Sequence, residues 1–264
     1  MILVTTDISK GTLPANQWIA FPRQNPHARL RLFCFPYAGG SSLIFRKWVD
    51  SLPASIELCP VRLPGREGRA RETPYHHLHS LVEATYEGIQ SYLDKPFAFF
   101  GHSMGAILSY HLTHYARHKC GLEPAHLFIS GRRAPQFTDE QTPTYKLPDK
   151  EFIEDLQRLN GTPREVLENH ELMQMMIPLL RADFEVCQTY QYAPLPVLSC
   201  PITAYGGLQD ADVSRENLAG WREHTTGTFT LRMLPGDHFF INSSTPLLLR
   251  TLAAVLHHCV LASQ

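Results

Sequence analysis

Gly101-His102-Ser103-Met104-Gly105 follows the apolar run Phe97-Ala98-Phe99-Phe100 and fits the pattern Gly-x-Ser-x-Gly. Such a stretch forms a sharp strand-to-helix turn, with the serine at its strained apex and small residues two positions either side, where larger ones would clash. Ser103 is therefore the candidate nucleophile. The helix expected over Met104–His118 aims its positive N-terminal end at the place where a tetrahedral oxyanion would form. Alone, the motif also fits an ordinary Gly/Ser turn; the strand before it and the helix after it favour the nucleophile.

A serine hydroxyl is a weak nucleophile at neutral pH, so this reading needs a histidine base and an acid to orient it. In strand–turn–helix hydrolases the order along the chain is Ser, then Asp or Glu, then His, each on a loop after a later strand. Gly236-Asp237-His238-Phe239 follows the alternating run Phe229–Leu234 and precedes a helical pattern at Thr245–His258. His238 is the candidate base. Most of the remaining histidines lie in or beside helical patterns, where a solvated or packed role is the default. For the acid, Cys200–Tyr205 reads as a buried strand ended by Gly206-Gly207, and Asp210 lies just beyond it. Asp212 is the alternative acid, and Asp237 fits a turn after Pro235-Gly236.

Two backbone donors would complete an oxyanion hole: the Met104 amide, next to the nucleophile, and one from the loop after an earlier strand. That loop is Pro36-Tyr-Ala-Gly-Gly-Ser-Ser42, and the Ala38 amide is the expected donor. A Gly-rich loop opening a helix can instead cradle phosphate, but neither Gly-x-Gly-x-x-Gly nor Gly-x-x-x-x-Gly-Lys-Ser/Thr occurs in the sequence.

The motifs Phe35-Pro-Tyr-Ala-Gly-Gly-Ser41, Arg62-Leu-Pro-Gly-Arg-Glu67, Gly101–Gly105, Leu179-Leu-Arg-Ala-Asp-Phe184 and Gly236-Asp-His-Phe239 span residues 28 to 260. As an ordered set they resemble the type II thioesterases of non-ribosomal peptide and polyketide assembly lines. Vertebrate medium-chain fatty-acid synthase thioesterases share much of the set. The resemblance implies an α/β-hydrolase that cleaves acyl groups from the phosphopantetheine thiol of a carrier protein, without a cofactor. It also implies a Ser103, Asp210 and His238 triad with the Ala38 and Met104 amides as oxyanion hole. Arg62, Arg66 and Arg69, with Arg71, Arg132 and Arg133, then become candidates for docking an acidic carrier protein and its phosphate, since guanidinium pairs well with both. The plainer alternative is solvated loop charge balanced by Glu67 and Glu72. The triad alone does not select sulfur esters, so a carboxylesterase or acyltransferase stays open, as does a hydrolase fold that binds without catalysing.

Strand patterns at Leu30–Phe35, Ile56–Arg62, Phe97–Gly101, Leu127–Ser130, Ile202–Tyr205 and Phe229–Leu234 alternate with helical ones. The fold class is thus α/β, a mainly parallel sheet with helices on both faces. One domain over residues 1–264 is expected, with an N-terminal arm over 1–27 pinned by Trp18 and Phe21. Between the fourth and fifth strands, residues 132–196 exceed any ordinary crossover and read as an inserted helical lid. Its helices are expected at Asp149–Leu159, at Pro163–Glu168 with Thr162 as cap, and at His170–Tyr192, interrupted at Pro178. Met175 and Met176 are candidates for lining an acyl pocket, because thioethers adapt to varied shapes; the alternative is that they dock the insertion on the core.

The 264 residues carry 24 Lys and Arg against 25 Asp and Glu, so the net charge of −1 argues against a nucleic-acid partner. The N-terminus lacks the pattern of a signal peptide, and no apolar run of about 20 residues suggests a membrane span. A cytoplasmic monomer is expected. The six cysteines show no zinc spacing and read as free thiols. His111, His114 and His118 share a helix face, but no Cys, Asp or Glu ligand adjoins them, so no metal is expected.

Overall fold

The computed structural model describes residues 17–137, 143–159, 161 and 164–262. The cap expected at Thr162 lies outside them. Six apolar stretches form parallel strands: β1 (Leu30–Phe35), β2 (Ile56–Pro60), β3 (Phe97–His102), β4 (His126–Ser130), β5 (Ile202–Gly207) and β6 (Phe229–Leu234). Their order is β2-β1-β3-β4-β5-β6. Every residue of β1 to β5 is buried, as the near-continuous apolar runs require of strands covered on both faces. The chain winds outward from β1 to β2 and then crosses back to β3, so the topological switch point lies between β1 and β3. Ligands of open parallel sheets bind at the carboxyl ends beside that point. The register places Phe35 beside Gly101 and His102 beside Ser130, so three strands finish level there.

Along the chain the helices are α1 (Leu78–Ile89), α2 (Met104–Cys120), α3 (Asp149–Leu159), α4 (Arg164–Leu167), α5 (His170–Gln188), α6 (Arg215–Ala219), α7 (Phe240–Ser243) and α8 (Thr245–Ala262). One face of the sheet packs on α1 and α2 through residues such as Phe33, Phe99, Leu81 and Ile107. The other packs on α8 and on the 3₁₀ helix Ser42–Asp50 through Phe100, Phe128, Trp48 and Leu252. Helix α8 is 18 residues long with mean hydropathy 1.4, which meets the length and composition of a membrane-crossing helix, contrary to the sequence expectation. Its Leu248, Leu249, Leu252, Leu256 and Val260 are buried in the core while Arg250, His257 and His258 are exposed, the pattern of a helix covering a sheet.

The described part of the expected arm, residues 17–27, touches the body. Ile19 bridges antiparallel to Val61, the Trp18 ring stacks under the Arg69 guanidinium at 3.9 Å, and Phe21 packs on Tyr92. Helices α3 to α5 lie within residues 132–196, and α3 and α5 share a small core of Phe152, Leu156, Met173, Ile177 and Leu180. The expected interruption at Pro178 does not occur, for α5 runs through it. An interior proline costs about 3 kcal/mol. Burying Met173, Ile177, Leu179 and Leu180 at about 1.5–3 kcal/mol each offsets it.

Candidate active site

Ser103 holds φ 53° and ψ −112°, a backbone conformation that costs about 1–3 kcal/mol and persists only where its surroundings over-determine it. Here the Ser103 amide donates to the Ser130 carbonyl at 2.8 Å, and Ala106 N–H donates to the Ser103 carbonyl at 3.0 Å. The flanking glycines are sterically required. A Cβ on Gly101 would lie 2.1 Å from the Gly105 carbonyl oxygen, and one on Gly105 would lie 2.1 Å from that of Phe35. Met104 opens α2, so its amide belongs to the first turn, whose donors have no partner within the helix.

His238 and Asp210 come from the loops after β6 and β5. Gly206 and Gly207, expected to end the strand, instead belong to β5, and the reason bears on the site. A Cβ on Gly207 would meet the Asp237 carbonyl oxygen at 2.3 Å, so only glycine lets the two loops approach. They are then stitched by Leu208 N–H to the Leu234 carbonyl at 2.8 Å and Gln209 N–H to the Gly236 carbonyl at 2.9 Å. His238 Nδ1 donates to Asp210 Oδ2 at 2.8 Å, and that carboxylate is fully buried. Its other oxygen accepts the Asp212 and Val213 amides at 2.9 and 3.1 Å, which fixes the carboxylate. The alternative acid, Asp212, faces Arg158 at 3.9 Å instead, and Asp237 accepts the Phe239 amide at 2.8 Å in the expected turn.

Ser103, His238 and Ala38 line one cavity of about 160 Å³. The insertion contributes Leu156, Leu159, Leu180 and Phe184 to its wall, and Tyr37, Val213 and Phe239 supply further apolar surface. His102, the variable residue of the motif, lies beneath. Its Nδ1 is 2.9 Å from Ser130 Oγ and its ring centroid 5.3 Å from that of His238. Burial, and then the proximity of His238, hold the His102 imidazole well below its ordinary pKa, so a neutral ring supports the site from below.

Other expected site residues lie elsewhere. Met175 is 77% exposed, and neither it nor Met176 lines the cavity; Met176 packs with the insertion's own core. Helical spacing turns Met175 away from Leu180 and Phe184, which do line it, whereas Met176 shares their face one turn nearer the start of α5. Arg66 and Arg69 are buried rather than presented to a partner. Arg66 pairs with Asp183, and Arg69 holds Glu72 and the Arg62 carbonyl. Arg62 leans on Glu67 at 3.5 Å. The arginines that line the cavity are Arg132, Arg133 and Arg158. Sequence reading missed Asp183; the available signal was a lone carboxylate on the otherwise apolar face Leu179, Leu180, Ala182, Val186. Of the histidines on α2, His111 meets the Tyr190 hydroxyl at 3.2 Å and His114 packs on Tyr110. Among the described residues no three His, Cys, Asp or Glu side chains converge as metal ligands do. The six cysteines are free.

A parallel sheet carrying a strained serine after β3, with an Asp–His pair after the last two strands, defines the protein as an α/β-hydrolase. The family model for the thioesterase domain matches residues 30–256, and the chain belongs to the thioesterase family. It is 47% identical over 229 residues to gramicidin S biosynthesis protein GrsT of Aneurinibacillus migulanus, covering 87% of this chain and 90% of that one. It is 42% identical over 252 residues to the protein named linear gramicidin dehydrogenase LgrE of Brevibacillus parabrevis, covering 94% and 96%. Among solved structures, the RedJ thioesterase from the prodiginine biosynthetic pathway in Streptomyces coelicolor superposes with a TM-score of 0.83 at 38% identity, over 89% of this chain and 93% of that one.

Proposed function

We propose that the chain hydrolyses acyl groups from the phosphopantetheine thiol of a carrier protein through an acyl-Ser103 intermediate. The observation that carries this reading is the 2.8 Å His238–Asp210 hydrogen bond opening on the same cavity as the strained Ser103. With its Nδ1–H held by Asp210, His238 keeps Nε2 as the proton acceptor. Ser103 Oγ attacks the thioester carbonyl as His238 takes its proton, and the Ala38 and Met104 amides receive the oxyanion. The thiol leaves with the proton returned by His238. Water, deprotonated by the same imidazole, then attacks the acyl-serine; the ester bond breaks, His238 returns that proton to Ser103 Oγ, and the acid is released.

Residues 132–196 act as a lid and 1–27 as an arm on one catalytic unit. The partner is an acyl-loaded carrier protein, a reading supported by the biosynthetic roles named for GrsT and RedJ. The setting proposed is cytoplasmic, beside the enzymes that load such carriers. The dehydrogenase in the name of LgrE does not carry over, because the sequence has no Gly-x-Gly-x-x-Gly. Hydrolysis of a panel of acyl-carrier proteins, compared with the matching free acyl thioesters and oxygen esters, tests the reading. Thioesters on the carrier should turn over fastest; preference for oxygen esters would make the protein a carboxylesterase.

A further inference from the structure

The loop Pro36–Ser42, which carries Ala38, is braced from two sides by side chains with no place in the proton-transfer chemistry. On α5, Asp183 accepts the Gly39 amide on Oδ2 at 2.7 Å. Arg66, from the loop after β2, grips the same carboxylate with Nη1 to Oδ2 at 2.9 Å and Nη2 to Oδ1 at 2.8 Å, and donates from Nη1 to the Gly40 carbonyl at 2.9 Å. Both side chains are buried, Arg66 being 6% and Asp183 3% exposed. The neighbouring Glu67 holds the far end of the loop, accepting Ser42 N–H at 2.5 Å and Ser42 Oγ–H at 2.6 Å.

Backbone strain points to the same place. Among the described residues two non-glycine positions have positive φ, Ser103 and Glu67. Strain of this kind persists where the surrounding structure imposes it, and it clusters at functional sites. One of the two is at the candidate nucleophile, and the other braces the loop that faces it. The loop itself turns through Gly39 at φ 75°, where a Leu180 methyl lies 2.4 Å from the position a Cβ would occupy. Helix α5 thus touches the loop by packing at Leu180 and by charge at Asp183, one turn apart.

We propose that Asp183, locked by Arg66, is a positioning residue for the oxyanion hole: by holding the Gly39 amide it sets the direction of the adjacent Ala38 amide toward the carbonyl oxygen above Ser103. The inference rests on the acyl-Ser103 reading. A backbone donor stabilises an oxyanion only when it is aimed at where that charge develops, and losing such a donor lowers kcat about 10²–10³-fold. A carboxylate binding the next amide, and itself fixed bidentately, supplies that aim without touching substrate.

The test uses Asp183→Asn, which keeps volume and one acceptor, Arg66→Lys, which keeps charge but not the two-pronged grip, and the paired Asp183→Leu/Arg66→Met, which leaves no orphaned buried charge. Each is measured for kcat and KM on one acyl thioester, and for affinity toward a trifluoromethyl ketone that forms a tetrahedral adduct and toward the matching unreactive thioether. The expected result is a fall of about 10- to 100-fold in kcat and in ketone affinity for the paired variant, a smaller fall for Asp183→Asn, and thioether affinity unchanged within about twofold. Folding is monitored by thermal unfolding, and if the paired variant does not fold, Asp183→Asn and Arg66→Lys carry the test. Equal losses toward ketone and thioether, or native kcat in a folded variant, overturn the proposal and leave the pair as a fastening for α5. Ser103→Ala separates this from the underlying reading: native turnover in that variant removes the acyl-Ser103 mechanism, whatever Asp183 does.

Discussion

The carboxyl edge of the sheet and the insertion above it are held together by different means. At the edge, position is imposed by backbone: parallel register, a strained Ser103, and glycines at 101, 105 and 207 whose missing Cβ atoms let chain pass chain. In the insertion it is imposed by side chains, through a five-residue core of Phe152, Leu156, Met173, Ile177 and Leu180 and through tethers such as Arg181–Asp149 and Arg66–Asp183. Reacting atoms belong on elements that cannot shift, whereas an acyl pocket must admit varied shapes and gains from a wall that can repack. The contrast also explains the two groups of arginines. Arg66 and Arg69 are fastenings at the base of the assembly, while Arg132, Arg133 and Arg158 line the space between edge and insertion.

The largest effect expected of the edge is in the chemical step. Ser103→Ala and His238→Ala should each lower kcat by about 10⁴-fold or more, and Asp210→Asn by one to two orders of magnitude less. Asp212→Asn should stay near native, because its carboxylate faces Arg158. Steady-state kinetics on one thioester rank the four variants, and a larger loss at Asp212 than at Asp210 would reassign the acid.

The insertion should respond in selectivity. Phe184→Ala and Leu156→Ala enlarge the cavity wall and should move the preference among acyl lengths by about tenfold, as a methylene or two in an apolar pocket does. Met175→Gln, at an exposed site, should leave both preference and unfolding temperature unchanged. If all three variants lose stability with no change in preference across an acyl series, the wall is packing alone.

How much of this was legible in the sequence follows from the same division. Periodicity reports burial, so the strands of the sheet, the α3 helix and the loop carrying His238 could be read directly. Turn chemistry pointed to Ser103 and chain order to Asp210, and the fold brings Ser103 and the Asp210-bound His238 to one cavity. Gly206-Gly207 misled because glycine ends strands in isolation; here it continues one so that two loops can touch. Met175, Arg66 and Arg69 were misplaced for a common reason. Residue type states what a side chain is able to do, but which way it points depends on tertiary contacts such as Asp183 reaching across 117 positions to Arg66. Pro178 is the same lesson in reverse, local propensity overruled by burial.

The smallest expected effect is the dependence of stability on acid. Burial lowers the pKa of His111 and His126 to about 4 and that of His114 to about 3, against an ordinary value of about 6.5. Below pH 6.5 the unfolded chain takes up protons that the folded chain refuses. Stability is therefore full above about pH 6.5 and is lost progressively as the pH falls toward about 4. Thermal unfolding followed from pH 7.5 to 4.5 should show a declining midpoint, and His126→Gln, which keeps a polar partner for Thr203, should flatten that decline. An unchanged slope in the variant would remove His126 from the account and leave the loss to His111, His114 and other groups.

The measurement that bears most directly on the edge as the seat of chemistry is rapid-quench mass spectrometry of the protein mixed with a slowly hydrolysed acyl thioester. The account predicts a mass increase equal to the acyl group, mapped to the peptide bearing Ser103, appearing before free acid and absent in Ser103→Ala. Turnover with no covalent adduct, or an adduct on any other residue, would contradict it.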